Sequence, residues 1–411
     1  MNKLQSLPSA SHFSLRSGWK VMKFGDIAEN IAVRVKPSEA DTDIYVGLEH
    51  LDPETLHLKK WGQPSDVEGD KLRFWKGDII FGRRRAYQRK LAITEFDGIC
   101  SAHAMVVRAK PKIILPEFLP FFLQSDMFME RAIGISVGSL SPTINWKTLR
   151  EEEFPLPSLD EQKRIAEILW AADEALEALI QVARGLVNAR QLFIDKLIPD
   201  PELAKVNPVI ELKALCSMQN GRPFQSSNYS ESGFRLLRPG NLASDGKLTW
   251  SPNATVCLAY EYAETNSDWI VRPGDVVINL TAQSLEDGFM GRVCLAAEGD
   301  DSLLNQRLGR FLCEDNILSE YLFRVLQTSR FRKLVEARCE GSKVRHIYFR
   351  HFADMPVVLL DSKGQRDIIE ATRRIDKARD AALSAVSTAR DLSKQLVLNL
   401  LCEGRVTNGG H

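Results

Sequence analysis

One amphipathic stretch, present twice, limits what this chain can fold into. From Leu159 to Leu197 the apolar residues Ile165, Ile168/Leu169, Ala172, Leu176, Leu179, Ala183, Leu186, Phe193/Ile194 and Leu197 keep the three-and-four spacing of a helix with one buried stripe. Asp160 and Glu161 open it at the positive end of the helix dipole, and Pro199 stops it. At ~1.5 Å per residue such a helix is roughly 57 Å long, a strut rather than an ordinary globular helix. The pattern returns from Lys363, with Gln162, Ile165, Asp173 and Leu197 answered by Gln365, Ile368, Asp376 and Leu400. Two struts of one pattern make this a duplicated chain.

The repeat extends beyond the struts. Leu115, Glu117, Leu119, Leu123, Gln124, Phe128, Gly138 and Ser139 recur without a gap as Leu318, Glu320, Leu322, Leu326, Gln327, Phe331, Gly341 and Ser342. Further upstream Gly77-Asp78 answers Gly274-Asp275 at a smaller offset, so the scaffold repeats while the loops between differ. Within the first copy, Ile44–Leu51, Leu56–Trp61, Phe74–Phe81, Leu91–Thr94 and Ala104–Arg108 read as short strands. Pro116–Ile133 reads as one helix, whose stripe Phe118, Phe121, Phe122 and Phe128 is better explained by core packing than by base stacking. The fold expected is α/β (α+β): a disordered tail (1–18), a globular domain (19–158), a long helix (159–198), a Pro-rich link (199–208), a second globular domain (209–360), a second long helix (361–402) and a short tail (403–411). The Ser-rich start, with Lys3 and Arg16, lacks the amphipathic period of a transit peptide.

At 411 residues the chain has room for two or three cores. Its 54 basic residues balance 54 acidic ones, so nucleic-acid binding has to be argued from local clusters. Seven scattered cysteines, none in CxxC spacing, fit reduced thiols in a cytoplasmic protein. No apolar run reaches the ~20 residues of a membrane span.

Motifs for catalysis are missing: there is no phosphate-cradling Gly loop, no GxGxxG after a strand, no Asn-Pro-Pro-aromatic methylase motif and no metal spacing. His346 and His351 have no carboxylate near them in sequence. One loose match, Pro199-Asp200 followed by Glu211-Leu212-Lys213, has the residue types of a PD…ExK nuclease, in which two carboxylates hold Mg²⁺. Asp200 lies in the link, however, and Lys213 is aligned with Lys23 of an ordinary opening strand.

The densest basic cluster is GRRRAYQRK, where Arg83, Arg84, Arg85, Arg89 and Lys90 accompany Tyr87 and Gln88 between two expected strands. Arginine forks suit phosphates and guanine edges, and Gln can pair with adenine. The plainer reading is a solvated loop, against which stands the absence of any acid within it. A second candidate is VGSLSPTINW, with Ser139, Ser141, Thr143 and Asn145; its echo GSKVRHIY adds Lys343, Arg345 and His346. Gly and Ser permit close approach to a phosphate. Arg222, Gln225, Arg238, Asn241 and Gln283 are further base-reading types in the second half, although any of them could simply close a turn.

These segments resemble a known family. YVGLEHL (45–51), KGDIIFGRRRAYQRKLA (76–92), SVGSLSPTINW (136–146) and PLPSLDEQKRIAEIL (155–169) are similar to the specificity subunit of type I restriction–modification systems. In the second copy Val358 and Gly364 stand where Pro157 and Glu161 stand in the first. The resemblance implies a non-catalytic subunit with two target-recognition domains, each reading one part of a split sequence in double-stranded DNA. The two helices would pair as an antiparallel coiled coil with pseudo-twofold symmetry and act as a ruler. It also implies docking of methyltransferase subunits, which carry S-adenosylmethionine, and of restriction subunits, with no cofactor on this chain. Charge resists one detail. Glu167, Asp173, Glu174 and Glu177 make the front of the first strut acidic, while Arg373, Arg374, Lys377 and Arg379 make the front of the second basic, which antiparallel pairing would leave unmatched and free to face the methyltransferase. The alternatives are the Mg²⁺-dependent nuclease above and a coiled-coil scaffold that does not bind DNA.

Overall fold

The computed structural model describes residues 18–252, 255–286 and 288–401. The tails expected at 1–18 and 403–411 lie outside these residues, apart from Gly18. Both struts are continuous helices, α1 (Leu159–Leu197, 39 residues) and α2 (Ser362–Leu401, 40 residues). The chain divides into two compact units: one takes the residues up to Leu179 and from Ala385 onward, the other Ile180–Ser384. Each unit therefore holds one globular domain, the beginning of the helix that follows it and the end of the other long helix.

In the first unit, Ala28–Asn30, Met105–Ala109, Ile79–Phe81 and Leu91–Ile93 form a four-stranded antiparallel sheet in that order. A second sheet orders Arg34–Val35, Lys71–Phe74, Gly98–Cys100 and Tyr45–Val46, the last pair parallel. The run Leu56–Trp61, expected as a strand, contributes only an isolated bridge from His57 to Ile93. Likewise the single helix expected over Pro116–Ile133 is two helices, Leu119–Gln124 and Asp126–Gly134. The break is at Ser125, whose extended backbone lets its Oγ accept from Phe128 N at 3.3 Å and donate to Phe122 O at 2.6 Å. Such local side-chain bonding competes with helix continuation and favours a cap. Thr328 breaks the second copy in the same way. Phe118, Phe121, Phe122 and Phe128 are all core residues.

The second unit repeats the plan. Cys216–Asn220, Leu308–Cys313, Val276–Asn279 and Val293–Leu295 form one sheet, and Val256–Leu258, Phe234–Leu237, Ser302–Leu304 and Ile270–Val271 the other. In both units an opening strand returns to the segment before the long helix: Lys20–Lys23 against Glu153–Leu156, and Val209–Glu211 against Pro356–Val358. This register corrects the sequence alignment, since Lys23 faces Glu153 and its counterpart facing Pro356 is Glu211, not Lys213.

Each globular domain grips its own helix through a repeated polar face. Gln162, fully buried, accepts from Leu115 N (2.9 Å) and donates to Ile113 O (3.0 Å) and Pro157 O (2.9 Å). Gln365 makes the same fork to Leu318 N, Asn316 O and Leu360 O at 2.8, 2.9 and 2.9 Å. Farther along α1, Trp170 Nε1 donates to Glu117 O, Asp173 meets His57 and Glu177 meets Lys59. On α2 the corresponding Arg373, Asp376 and Asp380 meet Glu320, Arg324 and Lys247. Positions 162, 170, 173 and 177 share one helix face at 100° per residue, as do their α2 counterparts.

These contacts take up part of the charge expected to be unmatched at the fronts of the struts, leaving Glu167, Glu174 and Lys377 exposed. Asp173 and Glu177 are taken by the first domain, Arg373 by Glu320, Arg374 by Glu370 on its own helix, and Arg379 by Asp380. His57 lies between Asp173 (Nε2, 2.7 Å) and Glu95 (Nδ1, 3.1 Å). The hydrogen bond to Asp173, helped by Glu95 against the opposing effect of burial, lifts its pKa to about 9. In the second unit, burial alone would raise the Asp376 carboxyl, yet Arg190 and Arg324 hold it below the usual range.

The ends of the two long helices meet within each unit. Leu396, Val397, Leu400 and Leu401 of α2 join the core that contains Ile165, Ala166 and Leu169 at the start of α1. In the other unit Ile194 and Ile198 near the end of α1 share a core with Ile368 and Ile369 at the start of α2, and Arg190 pairs with Asp376. Cys100, Cys216, Cys257 and Cys294 are buried free thiols, and burial pushes Cys216 up to about 12. Cys402 lies outside the described residues.

Candidate nucleic-acid interface

The two candidate loops of the first domain form one surface. Gly82–Lys90 turns Ile79–Phe81 back into Leu91–Ile93, and its outgoing arm pairs with the Ser-rich hairpin: Arg84 bridges Thr143, Arg85 N donates to Pro142 O at 2.7 Å, and Ile144 N to Arg83 O at 2.9 Å. The hairpin closes through Val137 and Thr143, which exchange two backbone bonds of 3.0 Å, with Gly138 at φ +117° making the turn. Arg85 and Arg89 themselves have φ of 56° and 53°, the left-handed region that β-carbons disfavour. Each flanks the turn Ala86–Gln88 and is held there, Arg85 by Ser141 Oγ (3.2 Å from its Nε) and Arg89 by an ion pair with Asp126. Two arginines held in a conformation costing on the order of 1–2 kcal/mol each mark a loop whose shape is imposed by its surroundings.

The result sorts the basic cluster. Arg84, Arg85, Tyr87 and Gln88 are exposed, as are Ser139 and Asn145, while Ser141 and Thr143 are half-buried. Three of the expected contacts are engaged by the domain itself instead. Arg83 donates to Ala102 O (3.0 Å), Lys90 to Leu48 O (3.0 Å) and Arg89 pairs with Asp126, so these side chains brace the loop. At the tip Leu140 is 92% exposed, beside Val137 at 67%.

The second domain builds the same two-ply surface. Thr281 pairs with His346 and Ala282 with Arg345, Ile347 N donates to Leu280 O (3.0 Å), and Glu340 and His346 close the hairpin. Gln283, Lys343, Arg345 and His346 are thereby brought together. The other expected residues are on loops elsewhere, where they hold the domain's own turns. Arg222 lies 4.9 Å over the Trp269 ring and donates to Asn266 Oδ1 (2.7 Å). Arg238 stands over Tyr229, and its backbone N–H binds Asn241 Oδ1. Asn241 is fully buried, with Nδ2 on Thr249 O, and offers nothing to a ligand. Gln225 is exposed ahead of the turn Ser226–Asn228. Sequence reasoning missed Tyr348 and Arg350: the guanidinium lies 4.4 Å over the 41%-exposed tyrosine ring, which stacks on His346. Their signal was the basic-aromatic alternation RHIYFRH. His351 also has a carboxylate partner that linear distance hid, Glu340 at 3.0 Å.

The nuclease residues do not converge. Asp200 pairs with Arg330, and Glu211 with Lys213 at 2.6 Å. Among the described residues no group of three or more His, Cys, Asp or Glu could hold a metal ion, and no helix is long and apolar enough to cross a membrane.

Residues 16–183 match the family described as the type I restriction modification DNA specificity domain. Over 416 aligned residues, 94% of this chain and 93% of the relative, the sequence is 22% identical to the type I restriction enzyme MjaVIII specificity subunit of Methanocaldococcus jannaschii. Residues 16–183 thus carry a type I restriction modification DNA specificity domain, and nearly the whole chain is similar to a type I specificity subunit. A 31% identity to the EcoDI specificity subunit of Escherichia coli covers 46% of this chain and 43% of that one. Two solved structures share the fold. A chain from a study of complex assembly and conformational transition of the type I R-M system gives a TM-score of 0.63 at 17% identity, covering 95% of this chain and 99% of that one. The S subunit from M. genitalium gives 0.54 at 14%, covering 96% and 98%. The nuclease alternative finds no support among these relatives, which are specificity subunits.

Proposed function

We propose that this chain is a specificity subunit that reads a two-part target in double-stranded DNA, one part per globular domain, with the two-ply loops as the contact surface. The observation that carries this is the recurrence, in both domains, of that surface with two cations: the exposed Arg84 and Arg85 in one, the exposed Lys343 and half-buried Arg345 in the other, none with an acidic partner among the described residues. α1 and α2 pair as an antiparallel coiled coil that spaces the two readers by on the order of one ~34 Å turn of DNA. Supporting this sense of pairing, within each unit the start of one long helix packs with the end of the other. The exposed flanks of these helices dock methyltransferase subunits, which bring S-adenosylmethionine, and with restriction subunits complete a cytoplasmic enzyme; this chain itself holds no cofactor. Residues free to contact DNA are Arg84, Arg85, Tyr87, Gln88, Ser139, Ser141, Thr143 and Asn145 in the first domain, and Gln283, Lys343, Arg345, His346, Tyr348 and Arg350 in the second.

Exchanging the first globular domain for that of another specificity subunit tests the reading. Sequencing of methylated adenines in the host is expected to show one half of the target changed and the other retained. A change in both halves or in neither would refute the two-reader arrangement.

A further inference from the structure

We propose that the two-ply surface is a phosphate grip built in two charge arrangements, and that it positions DNA while base choice is made by other residues. The inference deepens the reading above and rests on it.

The two copies share a backbone frame, although Arg85 is left-handed where its counterpart Ala282 continues a strand. Ile144 N bonds Arg83 O as Ile347 N bonds Leu280 O, Val137 and Thr143 exchange bonds as Glu340 and His346 do, and Gly138 and Gly341 turn the hairpins at φ +117° and +101°. Superposing them residue by residue sets Arg84, Arg85, Leu140 and Pro142 opposite Thr281, Ala282, Lys343 and Arg345. Each quartet carries two cations, but the cations have changed strand. They are on the loop arm in the first domain and on the hairpin in the second. A neighbouring position changes with them: Ser141, whose hydroxyl holds Arg85, is replaced by Val344 where Ala282 stands in place of that arginine. Glu340, at the position of Val137, does not cancel the second pair, because it is engaged by His351 and Arg350.

Reading a base edge requires a donor fork fixed in one place and direction. A phosphate is less demanding, since charge attraction falls off gradually with distance and a cation reaching it from either ply serves. What the two copies share is the number of cations at this surface and its backbone frame, not which side chain supplies them. Phosphate contact allows such an exchange of suppliers, and the lysine variant below separates it from base reading, whose side chains would also differ between two different half-sites.

The test uses the full chain assembled with its methyltransferase subunits, a duplex carrying the methylated sequence mapped in the host, and a scrambled duplex, with affinity measured across a salt series. Arg84→Gln with Arg85→Gln is expected to weaken binding to both duplexes by the same factor and to flatten the salt slope by about 1.8, near 0.9 per lost contact. Arg84→Lys with Arg85→Lys, at exposed positions where folding is not at risk, is expected to keep slope, target preference and methylated sequence. The quadruple variant Arg84→Thr, Arg85→Ala, Leu140→Lys, Pro142→Arg, which installs the second domain's arrangement, is expected to recover the slope. Loss of target preference in the lysine variant overturns the proposal, because a lysine cannot replace a base-reading fork. An unchanged slope in the glutamine variant also overturns it. Wild-type protein showing no salt-dependent binding at all would instead refute DNA reading itself.

Discussion

Gln162 and Gln365 show why a polar residue can be repeated inside an apolar stripe. Each buried amide satisfies one backbone N–H and two carbonyls at the junction of strand, turn and helix. Truncation removes three hydrogen bonds at once and empties a buried site, so Gln162→Ala or Gln365→Ala is expected to cost on the order of 2–3 kcal/mol, read by urea denaturation. A loss below a few tenths would mean water repairs the fork. His57 gives a pH-dependent contact of the same kind. Its folded pKa of about 9 lies above the ordinary 6.5, so its contribution is complete below pH 6.5 and disappears as pH rises through about 9. Unfolding midpoints on either side of pH 9 should therefore fall more for the wild type than for His57→Gln; parallel pH profiles would exclude the contact as a source of stability. Both glutamines could be seen in the sequence as repeats, but their hydrogen-bond partners could not, because Ile113 and Pro157 approach Gln162 only after the chain has folded around it.

Among elements, the long helices combine an apolar stripe with a polar clasp, and the clasp decides what their charges do. Asp376 is shared by Arg190 and Arg324, whose side chains are 9% and 4% exposed, whereas Arg373 is 66% exposed on Glu320. Asp376→Asn should therefore cost about 3–5 kcal/mol, because it leaves buried Arg190 without a carboxylate and Arg324 with Glu320 alone, and Arg373→Ala no more than about 1 kcal/mol. Equal losses in denaturant titrations would contradict this ranking. Helix periodicity was legible over the full length of both struts because 3.6-residue spacing is a local property. Pairing of the charges was not, since the partner of Glu177 is Lys59 and that of Asp380 is Lys247, each from a different part of the chain. The break at Ser125 was missed for a related reason: the apolar pattern runs through it, and only the serine's own hydrogen bonds show that the helix restarts.

For the molecule as a whole, strut length should set the gap in the DNA target. Inserting one helical turn into both α1 and α2 is expected to lengthen the non-specific spacer between the two methylated half-sites while leaving each half-site's sequence unchanged; an unaltered spacer would reduce the helices to scaffolding. The sequence alone determined the duplication, the two long helices, the aromatic core and the sites of the basic loops, because these depend on periodicity and on residues close together in the chain. Only the tertiary structure decided which cations are already engaged by the domain. Arg83, Arg89 and Lys90 lie in the same loop as Arg84 and Arg85, yet Ala102, Asp126 and Leu48 engage them, while the hairpin 137–144 aligns with Arg84 and Arg85 and leaves them facing outward. Such sorting depends on backbone groups brought together from distant parts of the chain, and residue type carries no record of them.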